Sequence, residues 1–161
     1  MKIIFLDIDG VLNNMRTRET FEDYVFVDDN KILLLKQLID KTNAKVVLSS
    51  SWRIGWQFKD KNPRCANDEV RLFEALQRKL KEFDIDMLSY TPHLWCRGKE
   101  IDTWLNEWQG EKVDSFVILD DMPKQEFEPN ASHLVQTDIS KGLTLHDIDQ
   151  AIKILNEASS N

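Results

Sequence analysis

Four places in the sequence carry side chains able to act on an anionic substrate, and three of them follow an apolar run directly. Asp7 and Asp9 leave Ile3–Leu6, one residue apart. Ser49, Ser50 and Ser51 leave the run Val46, Val47, Leu48. Asp120 and Asp121 leave Phe116–Leu119, and Lys99 stands between the last two groups in CRGKEI. A buried strand has no use for charge at its exit unless something there needs it. Carboxylates brought together from two strands repel, and a hard oxygen-seeking cation is the usual remedy. Mg²⁺ suits one or two carboxylates plus phosphate oxygens, which fits Asp7 with one of Asp120 and Asp121. A serine hydroxyl and the Lys99 ammonium could then hold phosphate oxygens, so the chemistry expected is phosphoryl transfer.

The spacing of the first pair acquires a mechanism. Residues i and i+2 share one side of a strand, so both carboxylates can face one substrate. Asp7 is placed to attack phosphorus and form an aspartyl-phosphate, dividing one hard hydrolysis into two easier steps. Asp9 is placed to protonate the leaving oxygen and then take a proton from water. Gly10 lets the backbone turn tightly beside the phosphate.

The elements that must position these groups alternate in type. Strands are expected over 2–7, AKVVLSS, IDMLSY, DSFVILDD and HLVQT, about five in all. Helices are expected over DDNKILLLKQLIDKTN, capped near Asp28 and stopped at Asn43, over NDEVRLFEALQRKLKEF, and over KEIDTWLNEWQG, closed by Gly110. A last helix, TLHDIDQAIKILNEA, opens on a capping box of Thr144 and Asp147. The segments 13–27 and 52–67 read as loops or flaps. Alternation of this kind predicts an α/β fold: a Rossmann-like, three-layer sandwich around a central, mostly parallel sheet. In such sheets ligands bind beyond the carboxyl ends of the strands, which gathers the four groups at one place.

The D-x-D-G-V of Asp7–Val11, the serine after VVLS, Lys99 and the DD after FVIL resemble, in order, the four motifs of the haloacid dehalogenase (HAD) superfamily of phosphatases. The resemblance runs from residue 3 to 121. It implies that Asp7 is the nucleophile and Asp9 the general acid/base, with the Asp9 backbone carbonyl as a further Mg²⁺ ligand beside Asp7 and Asp120 or Asp121. It leaves Ser49, Ser50 and Ser51 as alternatives for the phosphate hydroxyl, with Ser50 favoured, and Arg97 as an alternative to Lys99. DIDGVLN, SSSWR, RGKEI and TDISKGLT are further similar to compact HAD domains found alongside RNA-repair proteins, which implies a nucleic-acid end as one substrate class. The short segment after the first strand implies a member without a large cap domain and with an open site.

Other features bound the reading. Trp52 and Trp56 are interleaved with Arg53, Lys59, Lys61 and Arg64 against a single Asp60, a pattern that fits base stacking with phosphate contacts as well as it fits loop packing. Trp104 and Trp108 fall on an apolar helix face and read as core. His93, His133 and His146 have no metal spacing and receive no role. Cys65 and Arg71 satisfy a C-x5-R pattern, yet CANDEVR carries two acids and no glycine, so no anion cradle forms. The two cysteines fit a reducing compartment. With 161 residues, 42% of them hydrophobic, and a net charge of −7, the chain is expected to form one domain, 1–161. It is expected to be soluble and cytoplasmic, with no membrane span, no broad nucleic-acid-coating surface and no obligate protein partner. The substrate expected is a phosphorylated small molecule or a nucleic-acid end. A phospho-acceptor signalling domain would need its acceptor aspartate after the third strand, and IDMLSY lacks one. A catalytically idle binding module on the same fold is the remaining alternative, although Asp7 and Asp9 are both present.

Overall fold

The computed structural model describes residues 1–157. Five parallel strands form the central sheet: β1 (Lys2–Leu6), β4 (Lys45–Leu48), β5 (Met87–Tyr90), β6 (Ser115–Asp120) and β7 (Leu134–Gln136), in the order β5-β4-β1-β6-β7. Two further strands, β2 (Thr20–Phe21) and β3 (Tyr24–Val25), pair antiparallel in a small hairpin within 13–27. That hairpin is the whole regular structure between β1 and the first helix, and no separate cap domain stands over the sheet among the described residues.

The strands are apolar on both sides because both faces are covered, as expected of a parallel sheet. Period-two alternation sorts them. Ile4, Leu6, Val46, Leu48, Val117 and Leu119 face a core shared with α1 (Asp29–Thr42), α3 (Asp68–Lys81) and α5 (Leu145–Glu157), whereas Ile3, Phe5, Val47 and Ile118 face Ile101 and Trp104 of α4 (Arg97–Glu107) and Phe127. On that second face Phe5 meets Trp104 edge-on, with ring centroids 5.3 Å apart.

The expected helix signals act as read at both ends of α1 and at the start of α5, and α3 has a cap besides. The Asp28 side chain accepts from the Asn30 N–H at the start of α1, and Asn43 closes that helix in the left-handed conformation at φ 55°. Asn67 accepts from the Val70 N–H at the start of α3. Thr144 and Asp147 bond reciprocally at the start of α5.

Two expectations fail. The segment 52–67, read as a loop, contains α2 (Arg53–Lys61). That helix has no side-chain cap and carries a glycine in its first turn, so local signals for it are weak. Packing makes it: a Cβ on Gly55 would lie 2.0 Å from the Glu69 carbonyl oxygen and 2.7 Å from the Phe73 Cβ, so only glycine allows α2 this close to α3. Gly110 does not close α4, which ends at Glu107; Trp108 is already extended and folds back to stack on Trp104 at 4.9 Å.

Candidate active site at the carboxyl ends of the strands

Parallel register sets the level of the site. Leu6 pairs with Leu48 on one side and Leu119 on the other. The ladder continues past the strand ends: Asp7 N–H donates to Leu119 O at 2.9 Å, Ser49 N–H to Leu6 O at 2.8 Å and Thr137 N–H to Asp120 O at 3.0 Å. Asp7, Ser49 and Asp120 are thereby fixed side by side, each by backbone bonds that a side-chain change does not remove.

Asp7 and Asp120 are both buried, and Asp7 is only 5% exposed. With Asp121 they offer carboxylate oxygens within 4.8 Å of one another. Burial, and then the charge of Asp120, push Asp7 up to about 8, against the opposing pull of Arg97 and the Ser50 hydroxyl. Burial likewise pushes Asp120 up to about 6, held back by Arg97, and burial raises Asp121. One Asp120 oxygen accepts from the Met122 N–H at 2.9 Å, while the other is buried with no hydrogen-bond partner. A buried carboxylate oxygen without a hydrogen-bond partner, facing two more carboxylates, makes a donor set that could hold a metal ion.

Gly10 turns the chain beside this cluster. Its φ of +78° is left-handed, and a Cβ there would lie 2.5 Å from Asp121 Oδ2. Its carbonyl accepts from the buried Thr137 hydroxyl at 2.7 Å.

The cation at the cluster is Arg97, and Lys99 is corrected to a surface position. Arg97 Nη2 lies 3.5 Å from Asp7 Oδ1, Nε lies 3.7 Å from Asp120 Oδ2, and Nη1 donates to the Ser49 carbonyl at 2.6 Å. Lys99 is exposed and takes no part in these contacts. Positions 97 and 99 lie about 200° apart around a helix, so only one of them can face the sheet. Ser50 places its hydroxyl against Asp7, whereas Ser49 brings its carbonyl to Arg97 and its buried hydroxyl has no partner. Ser51 is exposed beside them.

Asp9, unlike Asp7, is exposed, and two donors hold it: Trp52 Nε1 at 2.9 Å on Oδ2 and Asn13 Nδ2 at 2.9 Å on Oδ1. Asn13 in turn accepts from the Gly10 N–H at 2.9 Å, closing the turn. Trp52 is therefore committed to the second carboxylate, with its ring buried near Phe26, and is no open stacking surface. Trp56 stacks on Phe73 and meets Tyr90, each at 5.0 Å, which places it against the core. Arg53 is buried, donating to the Ser50 carbonyl at 2.9 Å and to Glu100 at 2.7 Å. Neither Trp56 nor Arg53 turns outward as base and phosphate contacts would require. Glu100, not singled out by sequence, organises this flank, because the Leu94 N–H also donates to it at 2.9 Å.

The arrangement thus offers a buried carboxylate, a second carboxylate held by two donors, a cluster of three acids that could hold a metal ion and a guanidinium, all at the carboxyl ends of a parallel sheet. The sequence comparison agrees with that geometry, because the model for HAD domains in Swiss Army Knife RNA repair proteins matches residues 3–148. The chain belongs to that family. The match extends beyond the four motifs to β7 and the start of α5, so it reaches every strand of the central sheet. No curated protein matches the chain. Among the described residues no helix is long and apolar enough to cross a membrane.

Proposed function

We propose that this HAD domain is a Mg²⁺-dependent phosphomonoesterase working through an aspartyl-phosphate on Asp7. The observation that carries the reading is the burial of Asp7 against Asp120, with an unpartnered Asp120 oxygen and the Arg97 guanidinium beside both. Three crowded carboxylates in a buried site are costly without a cation, and a phosphate ester supplies the oxygens that complete a Mg²⁺ shell. Asp7, Asp120 or Asp121, and the Asp9 carbonyl would hold the ion. Bound there, Mg²⁺ would neutralise the carboxylates and the phosphate oxygens together.

The chain's own residues divide the chemistry. Arg97 and the Ser50 hydroxyl hold phosphate oxygens and turn the phosphorus toward Asp7. An Asp7 oxygen attacks phosphorus, the bond from phosphorus to the leaving oxygen breaks, and Asp9 delivers its proton to that oxygen. Asp9, now a carboxylate, takes a proton from water as the water oxygen attacks the phosphoryl group. The Asp7–phosphorus bond breaks, and free phosphate, the Asp7 carboxylate and protonated Asp9 result. The exposure of Asp9 suits a group that must meet both leaving alcohol and water. With only a short hairpin between β1 and α1, the site stays open, which suits a nucleotide or a nucleic-acid end.

The test is hydrolysis of p-nitrophenyl phosphate with Mg²⁺, with EDTA, and by the Asp7→Asn variant. Turnover that needs the metal and disappears in the variant is the expected result. Turnover that survives Asp7→Asn sinks the aspartyl-phosphate mechanism.

A further inference from the structure

Of the five tryptophans, four are engaged within the fold and one is not. Trp95 is 89% exposed, in the loop from β5 to α4, and its backbone is left-handed at φ 62°. For a bulky residue that conformation is a genuine outlier, maintained only where the surroundings fix it. The surroundings do fix it. Before Trp95, the Leu94 N–H donates to the buried Glu100 carboxylate; after it, the Cys96 carbonyl accepts from the Glu100 N–H at 3.0 Å. The loop also begins on the sheet, where the Thr91 N–H donates to Leu48 O at 3.0 Å. The indole packs on one neighbour, His93, with ring centroids 4.4 Å apart and planes tilted by 44°.

This aromatic ledge stands over a cleft of about 170 Å³ whose lining includes Ser51, Arg53, Trp95, Arg97 and Glu126. Arg97 belongs to both places: it lines the cleft and reaches Asp7 and Asp120. Trp95 and Arg97 thus line one cleft, so a phosphate held at Arg97 has the indole on the wall of the same cleft. An indole and an imidazole offer flat π faces and few hydrogen-bonding groups, which suits a nucleobase better than the hydroxyls of a sugar or polyol.

We propose that Trp95, braced by His93, is a stacking platform for the nucleobase next to the scissile phosphate, so that base-bearing phosphomonoesters are the preferred substrate class. The proposal rests on the phosphatase reading and narrows it. The platform serves a mononucleotide and the end of a strand alike, because every base has a π face.

The test uses the full chain with Mg²⁺ and compares four substrates: nucleoside 3′- and 5′-monophosphates, short oligonucleotides phosphorylated at either end, the same oligonucleotides with an abasic terminal nucleotide, and glycerol phosphate. In the wild type, base-bearing substrates exceed the abasic ones in kcat/KM, and Trp95→Ala lowers that ratio by about 10- to 100-fold. Trp95→Phe, which keeps a π face, retains most of it. Mononucleotide against oligonucleotide turnover separates the two sources of the base. Equal turnover of base-bearing and abasic ends, or a ratio unmoved by Trp95→Ala, overturns the proposal.

Binding is read separately in Asp7→Asn protein, as quenching of tryptophan fluorescence by the same oligonucleotides with and without Trp95→Ala. Quenching that needs both the base and Trp95, alongside a wild type that turns over none of these substrates, sustains the platform and rejects the phosphatase. Absence of base-dependent quenching overturns the platform whatever the turnover.

Discussion

Removing the charge of Asp7 is expected to make the metal-free protein more stable while abolishing its response to Mg²⁺. Asp7 titrates near 8 in the fold against an ordinary 3.8. A carboxylate raised on folding leaves stability intact below its unfolded value, and stability is lost as pH rises toward the folded value. At about 1.4 kcal/mol per pH unit, the roughly three units between 3.8 and pH 7 set a ceiling of about 4 kcal/mol on the burden Asp7 places on the fold. Because Asp7 and Asp120 titrate as an interacting pair, the burden is shared between them, and the expected gain for Asp7→Asn is about 2 kcal/mol. For a chain of this length that is a Tm rise of about 4 to 8 °C at pH 7 in EDTA. At pH 5 the same interval shrinks to about one unit, and the gain falls below about 1 kcal/mol. Differential scanning calorimetry at both pH values, with EDTA and with millimolar Mg²⁺, is the assay. Wild type should gain stability from Mg²⁺, more at high pH because the ion competes with protons, and the variant should gain almost none. A variant no more stable than wild type at pH 7, or one that Mg²⁺ stabilises equally, refutes the reasoning that carboxylate crowding at this site is offset by a cation.

Two more outcomes follow from the contacts around the site. Trp52→Phe keeps an aromatic ring beside Phe26 but removes the Nε1–H that holds Asp9; kcat on p-nitrophenyl phosphate should fall about 10-fold with a stability change under about 1 kcal/mol, and an unchanged kcat would show that Asp9 needs no such brace. Glu100→Ala strands the buried Arg53 guanidinium and the Leu94 N–H, at a cost of about 3 to 5 kcal/mol in urea unfolding, whereas the Arg53→Met/Glu100→Leu double variant should recover most of that loss; a double variant as unstable as the single one would mean the pair stabilises the fold beyond its own desolvation.

Much of the fold was legible because its signals are local. Asp28, Asn43, Asn67 and the Thr144/Asp147 pair cap their helices by bonds that span two to four residues, so the sequence marks these ends directly. Helix α2 was not legible, since Gly55 weakens it locally and its stability comes from α3. The site divides in the same way. Asp7, Asp9, Asp120 and Asp121 could be read as carboxylates at strand exits, because an apolar run ending in acid is a pattern within a few residues. Arg97 and Lys99 could not be separated, because helix rotation decides which of them faces the sheet. Trp52 and Arg53, whose pattern fitted outward contacts and loop packing equally, are turned inward by partners 43 and 47 residues away, Asp9 and Glu100.

By itself the sequence determined the strand and helix alternation, the carboxylate pairs and their order, and hence the kind of site that an open parallel sheet presents at its carboxyl edge. Tertiary structure alone decided which cation reaches the carboxylates, which tryptophan braces Asp9 and which one faces solvent. Strand patterns and caps depend on neighbours in the chain, whereas a side chain's partner depends on strand register and helix rotation, which become fixed only when the layers pack.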